Sequence, residues 1–333
     1  MVKISVVIPV RNVSDAIQNI LDQVIAQDFN REEFEVNIAD GASSDNTVDV
    51  INGYRNKGVT VNVIRIAETG RSAGLNAAIK ASRGEYICRL DLRTQIGPNY
   101  LKECLATIER TGAANIGGLQ VPVGRTEVQR AIGWAMSHPF GAGNAKFKTA
   151  KASGYVDSVY LGFFRKSVFN EIGLFDDSGR LLSEDSDMNE RIRASGQKIY
   201  LNVEIKVGYE PRGSLWQHFK LYHRYGIARI GNLRKNRRLT SWRQLPAPVF
   251  VAGLVLCPLI CLFLPVFWWG FGIAVGFYLM LLGYVSALLA WRNKSPIAFL
   301  TLLGAFPLMH IGWGSGFWRG LFAMSNRDEK VVV

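Results

Sequence analysis

The stretch "ISVVIPVRNVSDAIQNILDQVIAQ", residues 4–27, decides the fold. Its first seven residues form an apolar run around Pro9, short enough for a buried strand. From Ser14 onward the apolar residues Ile17, Ile20, Leu21 and Val24 recur at helical spacing, and Ser14 is placed to cap that helix. The alternation continues. "FEVNIAD" (34–40) reads as a second strand, followed by the turn "GASSD" and a helix from Asn46 to about Asn56. "VTVNVIRI" is a third strand, "RSAGLNAAIKAS" a helix and "EYICRLD" (85–91) a fourth strand. Strands that alternate with helices predict an α/β fold with a doubly wound, mostly parallel sheet. Such sheets bind ligands beyond the carboxyl ends of their strands. Pro9, Asp40 and Asp91 would all face that crevice.

Beyond Gly97 the pattern is mixed. A helix is expected in "YLKECLATIERTG", a strand in "AANIGGLQVPV" and a loop in "FGAGNAKFKTAK", before the acidic "SEDSDMNERIRASG" (183–196). The 333 residues suggest about two domains. Apolar residues make up 48% of the chain, and their distribution explains the excess. No charged residue occurs from Leu245 to Trp291 or from Ser295 to Trp318. A membrane-spanning helix takes about 20 apolar residues, so these stretches hold about three hydrophobic segments.

Nine positive charges and no acid lie between Pro211 and Gln244. Such a segment beside a membrane helix fits anionic lipids and the positive-inside rule better than nucleic acid, and it puts the front of the chain in the cytoplasm. The start, "MVKISVVIPV", leads directly into polar residues and does not read as a signal peptide. The expected organisation is a cytoplasmic catalytic domain over 1–210, a basic amphipathic interface segment over 211–244, a multi-pass plasma-membrane domain over 245–322 and a polar tail over 323–333. The four cysteines show no metal-ligand spacing and read as free thiols.

"VVIPVRN", "ADGASSDNT", "GLNAAIKASRGEYICRLD" and "SEDSDMNERIRASG" follow one another in an order that resembles family 2 glycosyltransferases. These are inverting enzymes of GT-A-type fold that use a nucleotide-sugar. "VDSVYLGFFRKSVFNEIGLFD", "SLWQHFKLYHRYG" and "MHIGWGSGFW" are similar to the branch that builds succinoglycan-type bacterial exopolysaccharides. The resemblance implies roles for single residues. Asp185, the second acid of its pair, would be the base that takes the acceptor hydroxyl proton, with Glu184 beside acceptor or diphosphate. Asp40 would accept a hydrogen bond from the nucleotide base, framed by Pro9 and Arg11, while Arg71 and Asn76 meet the nucleotide. Asp91 would hold Mg²⁺ or Mn²⁺ on the diphosphate of the donor, expected to be a UDP-sugar; Arg224 and Tyr225 would contact acceptor or diphosphate. The implied acceptor is a polyprenyl-pyrophosphate-linked saccharide.

The residues themselves leave alternatives open. Acids at a helix start favour the helix dipole whatever their chemistry, Asp187 and Arg191 form an i,i+4 surface pair, and Asp45 reads as a turn or cap residue. The chain also departs from the family pattern. Arg93 stands where a second metal-binding acid or His is expected, and a guanidinium cannot ligate a metal. It is placed either to pair with a phosphate or as a solvated loop residue, and it is the cation expected beside Asp91. Leu221 and Val13 replace an expected Gln and Glu. A polyprenyl-phosphate glycosyltransferase and a non-catalytic membrane scaffold are the rival readings.

Overall fold

The computed structural model describes residues 1–323 except 56, 68–69, 144, 179–182 and 237–243. In chain order its elements are β1 (Ile4–Val10), α1 (Ser14–Ile25), β2 (Phe34–Asp40), α2 (Thr47–Asn52), β3 (Thr60–Arg65), α3 (Arg71–Ala81), β4 (Tyr86–Arg89), β5 (Thr94–Ile96), α4 (Tyr100–Thr111) and β6 (Asn115–Pro122). Then come α5 (Glu127–Ser137), α6 (Pro139–Ala142), α7 (Lys146–Thr149), β7 (Gly154–Val156), β8 (Phe163–Arg165), α8 (Ser167–Ile172), α9 (Glu184–Ala194) and β9 (Ile199–Tyr209). The long helices α10 (Leu215–Asn236), α11 (Pro246–Phe263), α12 (Phe267–Arg292) and α13 (Pro296–Ala323) close the described chain.

The chain divides into two compact units, one of Met1–Val121 with Ala145–Tyr209 and one of Pro122–Asn144 with Glu210–Val333. An expected boundary lay near residue 210. The excursion Pro122–Asn144, which carries α5 and α6, was expected in the front domain but groups with the second unit.

The first unit is built on one mixed sheet of order β3-β2-β1-β4-β8-β6-β9-β5, with β7 paired to β9. β1, β2, β3 and β4 run parallel. The pairs β4–β8, β6–β8, β5–β9 and β7–β9 are antiparallel. Alternation along β1 sends Ile4, Val6 and Ile8 to one face, against Ile17, Leu21, Leu101 and Ile108. Val7 points to the other face, into a cluster with Leu75, Ile79, Met188 and Ile192. Helices therefore cover both faces, which is why β1 is an almost unbroken apolar run and why even the polar Ser5, Glu35 and Asn37 of β1 and β2 are buried.

Three local expectations are corrected. Ser14 is the first helical residue and not a cap; Val13 takes the N-cap position without a side-chain bond, and the Ser14 N–H is instead accepted by Asp45, 3.2 Å away. The expected loop at 140–151 contains α6 and α7, two one-turn helices. The second helix stops at Asn52, short of the expected Asn56, which lies outside the described residues.

The second unit is helical, and α11, α12 and α13 are each long and apolar enough to cross a membrane. Most of the basic segment is the continuous helix α10. Arg237, Arg238, Arg243 and the tail from 324 lie outside the described residues.

Candidate active site

The site begins with strand β4. Cys88 and Leu90 face one core layer and Ile87 the other, so a period of two puts Arg89 and Asp91 together on the face of Ile87. Arg89 is wholly buried. Its Nη2 lies 3.0 Å from Glu184 Oε1 and 3.5 Å from Asp91 Oδ1, and its Nη1 pairs with Asp185 Oδ1. The guanidinium sits 5.6 Å from the centre of the Phe175 ring. One cation thus gathers three carboxylates from two distant segments.

A second cation closes the cluster. Arg71, the first residue of α3, reaches Glu184 at 3.4 Å and Asp91 at 3.9 Å. Glu184 and Asp185 begin α9, where the helix dipole favours anions. Glu184 is buried and accepts from both guanidiniums, so its carboxylate is turned inward. The Asp185 side chain stays 34% exposed. It is the carboxylate of the α9 pair with access to a ligand.

Arg93 was expected to be the cation beside Asp91. Arg89 and Arg71 occupy that role instead, and Arg93 is exposed with no ion pair among the described residues. The reason is the pleat: Arg89, two residues before Asp91, shares its face, whereas the chain turns at Leu92 and Arg93 before β5. Arg89 was missed because a buried strand reads as an unbroken apolar run. The signal was an Arg inside that run, two residues from a strand-end acid.

Asn76 was expected at the nucleotide. Its Nδ2 donates to the Phe175 carbonyl (2.8 Å) and to Asp177 (3.0 Å), and its Oδ1 accepts from the Phe175 N–H (3.0 Å). Both amide hydrogens are committed, which makes Asn76 a clamp on the segment before α9. Arg191 grips the same segment from the other side, donating to the carbonyls of Ile172, Gly173 and Leu174. Its partner Asp187, 2.9 Å away, is fully buried, so this is not the surface pair that the spacing suggested.

At the ends of β1 and β2, Val10 is in register with Asp40. Asp40 is buried and its carboxylate accepts from the Ser43 N–H at 3.3 Å. Pro9 packs against Gly74 of α3, and Arg11 is exposed just past β1. The two loops that follow are stitched together. The Asn12 N–H donates to Ser43 Oγ, the Ser44 N–H to Asn12 Oδ1, and the Val13 N–H to Thr47 Oγ1. Asn12 (φ 50°) and Ala42 (φ 56°) take the left-handed conformation there, which is unusual for Ala and concentrates at functional sites. Asp45 accepts from Thr47 and Ser14. Its bond from the Thr47 hydroxyl, opposed by desolvation and helped by the Ser14 and Thr47 N–H groups, holds its carboxyl below the usual range.

For a divalent cation, no cluster of three or more His, Cys, Asp or Glu side chains is placed to hold one among the described residues. Asp91 offers one partly solvated carboxylate, 22% exposed. That donor fits a hard cation of the Mg²⁺ type, which commonly takes one or two carboxylates and fills its shell with phosphate and water oxygens. Arg224 and Tyr225 lie on α10 in the second unit, both exposed, while Leu221 is buried there.

A family model, "Glycosyl transferase family 2", matches residues 5–173, half of the chain. The chain belongs to glycosyl transferase family 2. The matched region contains β1 to β8, Arg71, Arg89 and Asp91; Glu184 and Asp185 follow it. Among family 2 relatives, the succinoglycan biosynthesis protein ExoA of Rhizobium meliloti is 25% identical, over 97% of this chain and 96% of its own length. A Methanococcus voltae dolichyl N-acetyl-alpha-D-glucosaminyl phosphate 3-beta-D-2,3-diacetamido-2,3-dideoxy-beta-D-glucuronosyltransferase is also 25% identical, over 96% of this chain and 97% of its own. Among solved structures, the Pyrobaculum calidifontis mannosyltransferase PcManGT, bound to GDP-Man and Mn²⁺, superposes with a TM-score of 0.64 at 14% identity, over 96% of this chain and 87% of that one. That likeness supports the GT-A fold. The protein is a family 2 glycosyltransferase related to exopolysaccharide and lipid-linked glycosyltransferases, with apolar C-terminal helices.

Proposed function

We propose that this enzyme is an inverting, membrane-bound transferase that moves a sugar from a nucleotide-sugar, a UDP-sugar by preference, to a polyprenyl-pyrophosphate-linked saccharide on the cytoplasmic side of the plasma membrane. The observation that carries the reading is the joining of Asp91, Glu184 and Asp185 around Arg89. Relatives named for succinoglycan synthesis and for a dolichyl-linked acceptor support the lipid-linked substrate. A neighbour bound to GDP-Man and another bound to UDP-GlcNAc (the Staphylococcus aureus TarS fragment, TM-score 0.51) support a nucleotide-sugar donor.

Transfer with inversion needs one base and a way to carry departing charge. The acceptor oxygen bonds to the anomeric carbon on one face as the bond from that carbon to the diphosphate breaks on the other. The hydroxyl proton goes to Asp185, and the electron pair leaves with the nucleoside diphosphate. Arg89 keeps the Asp185 carboxylate aimed by pairing with one of its oxygens, while the partly exposed remainder meets the acceptor. Arg71, 60% exposed at the start of α3, is the cation that can reach the diphosphate. Asp40 would accept the base N–H of a uracil. Mg²⁺ or Mn²⁺ held by Asp91 would supply further neutralisation of the leaving diphosphate. Anionic lipids would meet the basic α10.

Asp185→Asn tests the assignment. It should leave UDP binding, read by calorimetry, within a few-fold, and cut transfer of labelled sugar into extracted lipid by about a hundredfold or more. Transfer within a few-fold of the parent enzyme would remove Asp185 as the base.

A further inference from the structure

Length and composition nominate three spans, but the packing of the second unit separates α13 from the other two. We infer that α13 does not cross the membrane: the chain crosses twice, through α11 and α12, and α13 lies in the interface on the side of α10. The inference rests on the membrane-bound reading above.

α10 runs alongside α13 in the same direction. Leu215 meets Gly304, Tyr222 meets Gly312, His223 meets Gly316, Ile230 meets Gly320 and Arg234 donates to the Leu321 carbonyl. The approach is close because glycines face it: a Cβ on Gly316 would lie 2.0 Å from the His223 carbonyl oxygen, and one on Gly226 would lie 2.2 Å from the Trp313 carbonyl oxygen. Whatever tilt α13 takes, α10 shares it. α10 exposes Lys220, Arg224 and Arg234, whereas Arg229 is buried within the protein. At 1.5 Å per residue those charges extend over about 21 Å, most of a hydrocarbon core of about 30 Å. Snorkelling serves residues near a helix end and cannot rescue three exposed charges at such spacing. A spanning α13 would therefore bury cations in lipid.

Two further observations agree. The large exposed apolar side chains of α11 and α12 run their whole length, from Val249 to Trp291, whereas those of α13 are confined to its ends, at Ile297, Leu300 and Phe322. α13 also meets α11 near that helix's beginning: Trp313 donates to the Gln244 carbonyl, Gly314 packs on Ala247 and Val251, and Trp318 donates to the Pro248 carbonyl. Its link to α12, between Tyr278 Oη and His310 Nδ1 at 3.0 Å, is level with Phe250 in the first turns of α11, whose ring centre lies 4.7 Å from that of Tyr278. Finally, the start of α13 is tied to α5, Ser295 Oγ donating to Glu127 Oε2 at 2.8 Å, and Arg319 is exposed near its end. Both termini carry charge that suits the same polar interface.

The test places single cysteines in a variant with Cys88, Cys104, Cys257 and Cys261 replaced. Pro265→Cys, Asn293→Cys and Phe322→Cys are labelled with a membrane-impermeant maleimide in right-side-out and in inverted plasma-membrane vesicles. Position 265 should label in right-side-out vesicles, and positions 293 and 322 in inverted ones. Position 322 labelling with 265 would establish a third crossing and overturn the inference. If 265 labels with 293 instead, there is no spanning hairpin, and the membrane-bound reading fails together with the inference. Circular dichroism and gel filtration in detergent establish that each variant is folded.

Discussion

Arg89 is the residue on which the site is hung, and Arg89→Met tests that directly. The substitution fills most of the volume and removes the charge, leaving Glu184, Asp185 and Asp91 facing one another. Breaking a buried ion pair by deleting one partner typically costs about 3–5 kcal/mol. The lower end applies here, because Asp91 and Asp185 remain 22% and 34% exposed and water screens them. At 2–4 °C per kcal/mol for a unit of this size, about 3 kcal/mol lowers Tm by ~6–12 °C. Transfer should fall more steeply than stability, since a base displaced by about 1 Å loses roughly a hundredfold. Arg89→Lys keeps the charge but not the fork, and should be intermediate in both readouts. The partner variant Arg89→Met with Glu184→Gln removes one of the stranded charges and should recover part of the Tm without recovering transfer. The assay is thermal unfolding in detergent alongside a labelled-sugar transfer time course. Arg89→Met with a Tm within 3 °C of the parent and transfer within a few-fold would refute the reasoning.

Removing the divalent cation with EDTA should abolish transfer and weaken UDP binding, Asp91→Ala should do the same, and full activity after exhaustive dialysis against EDTA would exclude a metal at this carboxylate. Asn76→Ala leaves the Phe175 N–H and carbonyl without their partners and should destabilise by about 3 kcal/mol, read as a lower Tm, with UDP affinity in the folded protein unchanged. Acid should expose the role of Glu35. Burial pushes its pKa up, but bonds from the Arg83 N–H, the Ser5 hydroxyl and the Arg83 guanidinium outweigh that and hold it below the ordinary value of 4.5. Its contribution to stability is therefore complete above about pH 4.5 and is lost as pH falls through its lowered folded value. Glu35→Gln should flatten that part of the stability profile in acid-unfolding curves, and an unchanged profile would contradict it.

The parallel half of the sheet was legible because β1 to β4 are short runs, apolar or alternating, that recur with helical stretches between them. The antiparallel half was less so. β5 and β8 are three residues each, too short for a period, and their partners β9 and β6 lie far away in sequence. The site followed the same division. Asp40, Asp91 and Asp185 stand at element ends and could be singled out from neighbouring residues alone. The roles of Arg89 and Asn76 depend on groups about 95 to 101 residues distant, and an amide or guanidinium does not announce which remote carbonyl or carboxylate it will meet. The two-sided burial of β4 concealed Arg89 further, since nothing in an apolar run marks which of its faces hides a cation.

Of the elements described, α13 is made last, yet α5, α10, α11 and α12 all pack on it. The excursion that carries α5 is synthesised roughly 170 residues earlier, as its link from Glu127 to Ser295 shows. Until Gly304 to Gly320 emerge from the ribosome, α5 and α10 have no groove to enter, while the strands of the first unit already have their partners. The second unit therefore closes after translation of the first is complete, through contacts of high sequence separation that form slowly. A nascent chain halted before residue 304 would present a finished sugar-transfer domain beside unsatisfied apolar helix faces, the kind of surface that chaperones and membrane proteases recognise.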